Sequence, residues 1–123
     1  MSPSKGRLSE AFRDRAKHFA AVVIRLYVKL PKGRDEVRVC GRQLLRSGTS
    51  VAAHVREASR ARSNAEFVSK LGGALQEADE TRLWLELLTE ECGVEPSRVE
   101  TLLAESEELI AIMTAMIRRT RSG

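Results

Sequence analysis

Four stretches of the chain carry apolar residues at steps of three and four, and each is followed by residues that stop a helix. That spacing lays one apolar stripe along an α-helix, where side chains recur every 3.6 residues. The first stretch runs from about Leu8 to Leu30 through Phe12, Ala16, Phe19, Val23 and Leu26, with Ser9 as its cap. Pro31-Lys32-Gly33 ends it, because proline disfavours helical geometry in the residue before it. The second runs from about Asp35 to Ala58, with Val37, Cys40, Leu44, Gly48, Val51 and Val55 on its stripe. Glycine inside a helix costs about 1 kcal/mol relative to alanine, so Gly41 and Gly48 point to close backbone approach by a neighbour.

The third stretch opens at Ser63-Asn64-Ala65-Glu66, a pattern in which Ser63 and Glu66 each bond the other's free backbone N–H. Its stripe is Phe67, Leu71, Ala74, Ala78, Thr81, Leu85 and Leu88, and it ends near Cys92-Gly93, where glycine takes the left-handed cap. The fourth opens at Pro96-Ser97, with Ser97 and Glu100 repeating the capping pattern, and turns Val99, Leu102, Leu103, Leu109, Met113, Met116 and Ile117 inward. Arg118, Arg119 and Arg121 sit at its C-terminus, where the helix dipole favours cations. Connections this short favour antiparallel neighbours, so the expected fold is all-α, an antiparallel up-down-up-down four-helix bundle. One domain spans 1–123, with 1–7 and 120–123 as disordered tails.

The two cysteines, Cys40 and Cys92, make neither a disulfide framework nor a zinc pattern. No apolar leader or membrane-length run is present, so a cytoplasmic protein without a membrane partner is expected. Charge divides along the chain: residues 1–62 hold 15 Lys/Arg against 5 Asp/Glu, and residues 63–123 hold 6 against 12. Such a split fits a basic surface facing an anionic partner, or basic and acidic helices that neutralise each other.

Catalytic chemistry finds no purchase. A di-iron bundle needs Glu-x-x-His pairs, but Arg15 and Val51 stand three residues before His18 and His54. Glu77-Ala78-Asp79-Glu80 lacks a downstream Glu-x-x-Asp partner, since Asp79 is the last aspartate. Ser47-Gly48-Thr49-Ser50 lacks the lysine and frame of a phosphate loop. No catalytic residue, metal ligand or cofactor is expected.

Two surfaces stand out instead. In Leu83-Trp84-Leu85-Glu86-Leu87-Leu88 apolar groups point almost all round, so Leu83, Trp84 and Leu87 need cover from the helix 1–2 connection or from another subunit; the subunit is the favoured reading. Arg46, Ser50, His54 and Glu57 share one face of the second helix and can meet Glu77 and Glu80 of the third. Read as a structural network, this would fix register, and breaking a buried ion pair there would cost about 3–5 kcal/mol. A ligand site is the alternative.

The ordered set Arg42-Gln43-Leu44-Leu45-Arg46-Ser47-Gly48-Thr49-Ser50-Val51-Ala52-Ala53, Arg56-Glu57-Ala58, Ser63-Asn64-Ala65-Glu66-Phe67, Lys70-Leu71 and Ala74 to Thr81, with Trp84 to Leu88, resembles the bacterial four helix bundle protein family, also called the ribosomal RNA intervening-sequence protein family. His54 stands where members often have Asn. The resemblance implies a closed homo-oligomer, a pentamer, with no enzymatic activity. It also implies similarity to the accessory proteins of diversity-generating retroelements, which bind nucleic acid and a reverse transcriptase partner. The expected function is accordingly a non-enzymatic, homo-oligomeric adaptor that binds RNA or DNA through Arg38, Arg42, Arg46, Arg56, Arg60, Arg62 and Lys70. Tyr27 and Trp84 are the only Tyr and Trp, so base stacking would have few platforms. A protein–protein scaffold without a nucleic-acid role is the alternative.

Overall fold

The computed structural model describes residues 7–123. They form α1 (Glu10–Lys29), α2 (Asp35–Ser59), α3 (Asn64–Glu90) and α4 (Pro96–Ser122). Helix α2 packs on α1 and α3, and α4 closes the square against α3 and, over a thinner seam, against α1. No strand occurs among the described residues.

The apolar stripes supply the core. Leu8, Phe12, Ala16, Phe19, Val23, Leu26 and Leu30 are all buried, as are Phe67, Leu71, Ala74, Ala78, Thr81, Leu85 and Leu88. In α2 the buried edge turns by one residue near the start: Cys40 is half-buried and Gly41 takes the inward place. A Cβ on Gly41 would lie 3.1 Å from Leu30 Cδ1, and one on Gly48 would lie 2.7 Å from both γ-carbons of Val23. The missing side chains therefore set the α1–α2 spacing. In α4, Leu103 and Met116 are only half-buried, while Ser106 goes inside. Its hydroxyl donates to the Leu103 carbonyl at 2.8 Å, which removes the cost of burying it.

Local signals fix the helix ends. Ser9 Oγ accepts from Phe12 N–H, and Ser63 Oγ accepts from Glu66 N–H at 3.0 Å. The reciprocal arm of the Ser63 box is shifted, because the Glu66 carboxylate accepts from Arg62 N–H at 2.8 Å. That bond, with the nearby Arg62 charge, holds Glu66 below the usual carboxylate range. The second expected box does not form: Pro96 takes the first helical position, Glu95 becomes the cap residue without a side-chain bond, and Ser97 lies inside the first turn. Proline lacks an N–H and has a helical φ, so it suits that first position. Gly93 adopts φ 75°, and Val94 N–H returns to the Leu88 carbonyl at 3.0 Å.

The expected tails are shorter than the sequence indicates. Helix α4 continues to Ser122, with the Thr120 and Ser122 hydroxyls donating to Met116 and Arg118 carbonyls. Arg7 N–H donates to the Ser59 carbonyl at 2.9 Å, so residue 7 is tied to the end of α2. The remainder of the expected N-terminal tail, 1–6, lies outside the described residues.

Candidate nucleic-acid interface

The antiparallel α2–α3 pair brings the expected polar residues together in two separate clusters. Arg46 donates to Glu80 at 2.7 Å and to Glu77 at 3.4 Å. Hydrogen bonding to Glu77, and then its charge, raise the Arg46 pKa above its ordinary value. Half of the Arg46 side chain is nevertheless open to solvent (50%), so this is a surface pair contributing about 0–1 kcal/mol. The larger cost expected for a buried pair does not apply. More than two turns away along α2, Glu57 lies 3.3 Å from His54 Nδ1 and 3.6 Å from Lys70 Nζ. Ser50 is half-buried on α2, and among the described residues no hydrogen bond joins its side chain to either cluster. His54 lies against Gly73, where a Cβ would come within 3.1 Å of its Nδ1.

The buried polar link is one that the spacing argument missed. Ser47 and Thr81 are fully buried and share a 2.9 Å hydrogen bond across α2–α3. Thr81 also reaches the Glu77 carbonyl at 2.8 Å, and Ser47 reaches that of Leu44 at 3.3 Å. The sequence shows the serine in a failed phosphate-loop pattern and in the family-like run, and neither indicates that it is buried. Its place on the core edge follows from the rotation that also buries Gly41.

The expected cation set divides by pairing. Arg38 bonds Asp35 and the Lys32 carbonyl, Arg62 faces Glu66 at 3.7 Å, and Lys70 and Arg46 are paired as above. Arg42, Arg56 and Arg60 are exposed and have no ion pair among the described residues. Arg56 and Arg60 line a groove of about 560 Å³ between α1 and α2, together with Arg13 and Lys17 of α1. Glu10, Asp14 and Glu57 also border it, and Ala52 and Ala53 form its shallow wall. Among the described residues the Arg13 side chain donates only to the Ser9 carbonyl, and Lys17 is exposed. Nothing in the apolar stripe of helix 1 marks Arg13 and Lys17 as groove residues. The basic surplus of residues 1–62 was the available signal.

Of the expected interface residues, Leu83 is 46% exposed, and Trp84 and Leu87 are half-buried. The helix 1–2 connection therefore does not cover Leu83. Trp84 packs against the core, but its indole Nε1 is buried without a hydrogen-bond partner among the described residues. Ile24, Val28 and Val39 are further exposed aliphatics. With Leu83 they all fall in the half of the bundle that holds the α1–α2 connection. On the α1–α4 seam, Arg15 clamps Glu105 with two bonds of 2.6 and 2.9 Å and reaches Glu108 at 3.0 Å. Those two carboxylates raise the Arg15 pKa further above its ordinary value.

Among the described residues, no group of three or more His, Cys, Asp or Glu is arranged to hold a metal ion. No helix among them is long and apolar enough to cross a membrane.

The family model described as 23S rRNA-intervening sequence protein matches residues 11–115. The chain is similar to a solved protein from Bacteroides thetaiotaomicron, described as a protein of unknown function from the S23 ribosomal protein family. The two share 37% identity over 85% of this chain and 96% of the other, with a TM-score of 0.77. No curated protein matches the chain at a significant level.

Proposed function

The chain belongs to the 23S rRNA-intervening sequence protein family, and from that premise we propose that it is a non-enzymatic, homo-oligomeric adaptor that binds the backbone of RNA or DNA. The observation that carries this reading is the pairing pattern of the cations. Arg38, Arg46, Arg62 and Lys70 face carboxylates of their own chain, whereas Lys17, Arg56 and Arg60 line the α1–α2 groove without an ion pair among the described residues. Cations left in solvent are available to displace counterions from phosphates, which is the main source of sequence-independent affinity.

Assembly draws support from a different part of the molecule. The exposed Leu83 favours cover by a second copy, and the family resemblance offers a ring of five. A ring would repeat the groove in each subunit and raise avidity without a new contact. A reverse transcriptase is the protein partner suggested by the same resemblance. The scaffold reading is favoured by the exposed Ile24, Val28 and Val39, which lie outside the groove.

The test begins with light scattering, where a mass several times 13.7 kDa is expected. The assembled protein and its Lys17→Gln/Arg56→Gln/Arg60→Gln variant are then titrated with labelled RNA and DNA duplexes. The variant should flatten the salt dependence by up to about three units, roughly one per lost phosphate contact. Equal binding by the two proteins would remove the groove from the site and leave the scaffold reading in front.

A further inference from the structure

One end of the bundle collects the start of α1, the end of α2, the start of α3 and the end of α4. Direct contacts join them. Arg7 donates from Nη1 to Asn64 Oδ1 at 2.7 Å and from Nε to the Ala61 carbonyl at 3.0 Å. On the other side of Asn64, a shallow pocket is bordered by Asn64, Ala65, Val68, Thr120 and Arg121. Residues far apart in sequence, 7, 61, 64 and 121, therefore share one surface.

The charge on this surface is strongly one-sided. Arg118, Arg119 and Arg121 are exposed and have no ion pair among the described residues, like Arg56 and Arg60, which lie at the same end on the α1–α2 side of the bundle. The nearby acids are few, and two of them, Glu57 and Glu66, already face Lys70 and Arg62. At the opposite end Glu86, Glu90, Glu91 and Glu95 sit among the cations, so the charges there offset each other. Stabilisation of the α4 dipole accounts for a cation in the last turn. It does not account for three in four residues at the end of the bundle where Arg56 and Arg60 are also unpaired.

We infer that this end of the bundle is a polyanion-docking face, completed by Arg118, Arg119 and Arg121, and that the phosphodiester backbone of a nucleic-acid duplex is its ligand. The inference rests on the proposed nucleic-acid reading and extends its footprint from the α1–α2 groove onto α4. A duplex fits because single strands are held largely by stacking on aromatic rings. This end presents none: Phe67 is buried beneath Arg7, whose guanidinium lies 6.0 Å from the ring centre. Tyr27 and Trp84 are in the other half of the bundle, and Lys32 already covers the Tyr27 ring. Recognition without rings leaves phosphates as the contact, and phosphate contacts position a protein without reading bases.

The experiment compares two triple variants of the full chain that remove equal charge. One is Arg118→Gln/Arg119→Gln/Arg121→Gln, and the other is Arg25→Gln/Lys29→Gln/Arg98→Gln at the opposite end. Each is titrated with a labelled RNA duplex and a labelled DNA duplex over a salt series, after circular dichroism has checked helicity. The first should flatten the salt slope by up to about three units on both duplexes, and the second by less than about one. Arg118→Lys/Arg119→Lys/Arg121→Lys should keep the slope, since the contact is one of charge. Equal effects of the two Gln variants would show that net charge acts at long range, and the docking face would be wrong. An unaltered slope in the α4 variant, while the groove variant loses binding, would overturn this inference alone. Absence of binding by the unsubstituted protein would remove the underlying reading as well.

Discussion

Gly48 shows how a single position links sequence to packing. A methyl group there would sit 2.7 Å from both γ-carbons of Val23, which is fully buried and stiff about its side-chain bond. Gly72, also in a helix interior, has nothing within 4 Å of the same added atom. Gly48→Ala gains about 1 kcal/mol of helix propensity but meets an overpacking cost of about 1–3 kcal/mol, for a net loss near 1 kcal/mol. Gly72→Ala should gain up to about 1 kcal/mol, since only the propensity applies. Urea denaturation midpoints should therefore move in opposite directions, and a shift of the same sign in both would contradict the packing account. The close approach at Gly48 was legible because a helical glycine has a cost that needs a reason. The exposure of Arg46 was not legible, since spacing tells which face a residue occupies but not how far solvent reaches down it. Arg38 and Asp35 likewise share a helix turn in the sequence, yet only the structure shows the pair formed.

At the level of elements, the apolar stripes and breakers located all four helices, and the differences lie at their ends. Ser63 and Ser97 look alike in sequence, each followed three residues later by glutamate. In the structure Ser63 accepts the Glu66 N–H, while Ser97 is one residue inside a helix started by Pro96. Ser63→Ala should therefore destabilise the protein by about 1 kcal/mol, the usual loss of a capping oxygen. Ser97→Ala should stay within about 0.5 kcal/mol of the parent, as for a surface helical position. Comparable losses in thermal denaturation would mean that Ser97 caps α4 after all. The all-round apolar turn at Leu83 to Leu88 was also visible from the sequence. The pattern could not assign each residue its depth: Leu85 and Leu88 enter the core, Trp84 and Leu87 stop halfway, and Leu83 remains open.

Across the whole molecule, topology rearranges a charge pattern that the chain shows only in outline. The basic first half and acidic second half were evident, and they suggested a basic α2. Folding instead pairs two α2 cations, Arg38 and Arg46, with carboxylates, while it gathers unpaired ones from α1, α2 and α4 at one end. Arg121 belongs to the acidic half of the sequence, so no local charge count could place it beside Asn64 and Arg7. The central claim is that these cations act on phosphate by charge. Its most direct test is the affinity of the unsubstituted protein for a labelled duplex, measured at about 50 and about 200 mM salt. Six or so phosphate contacts should weaken binding by roughly a thousandfold between those conditions. No binding at the lower salt, or an affinity indifferent to salt, would contradict it.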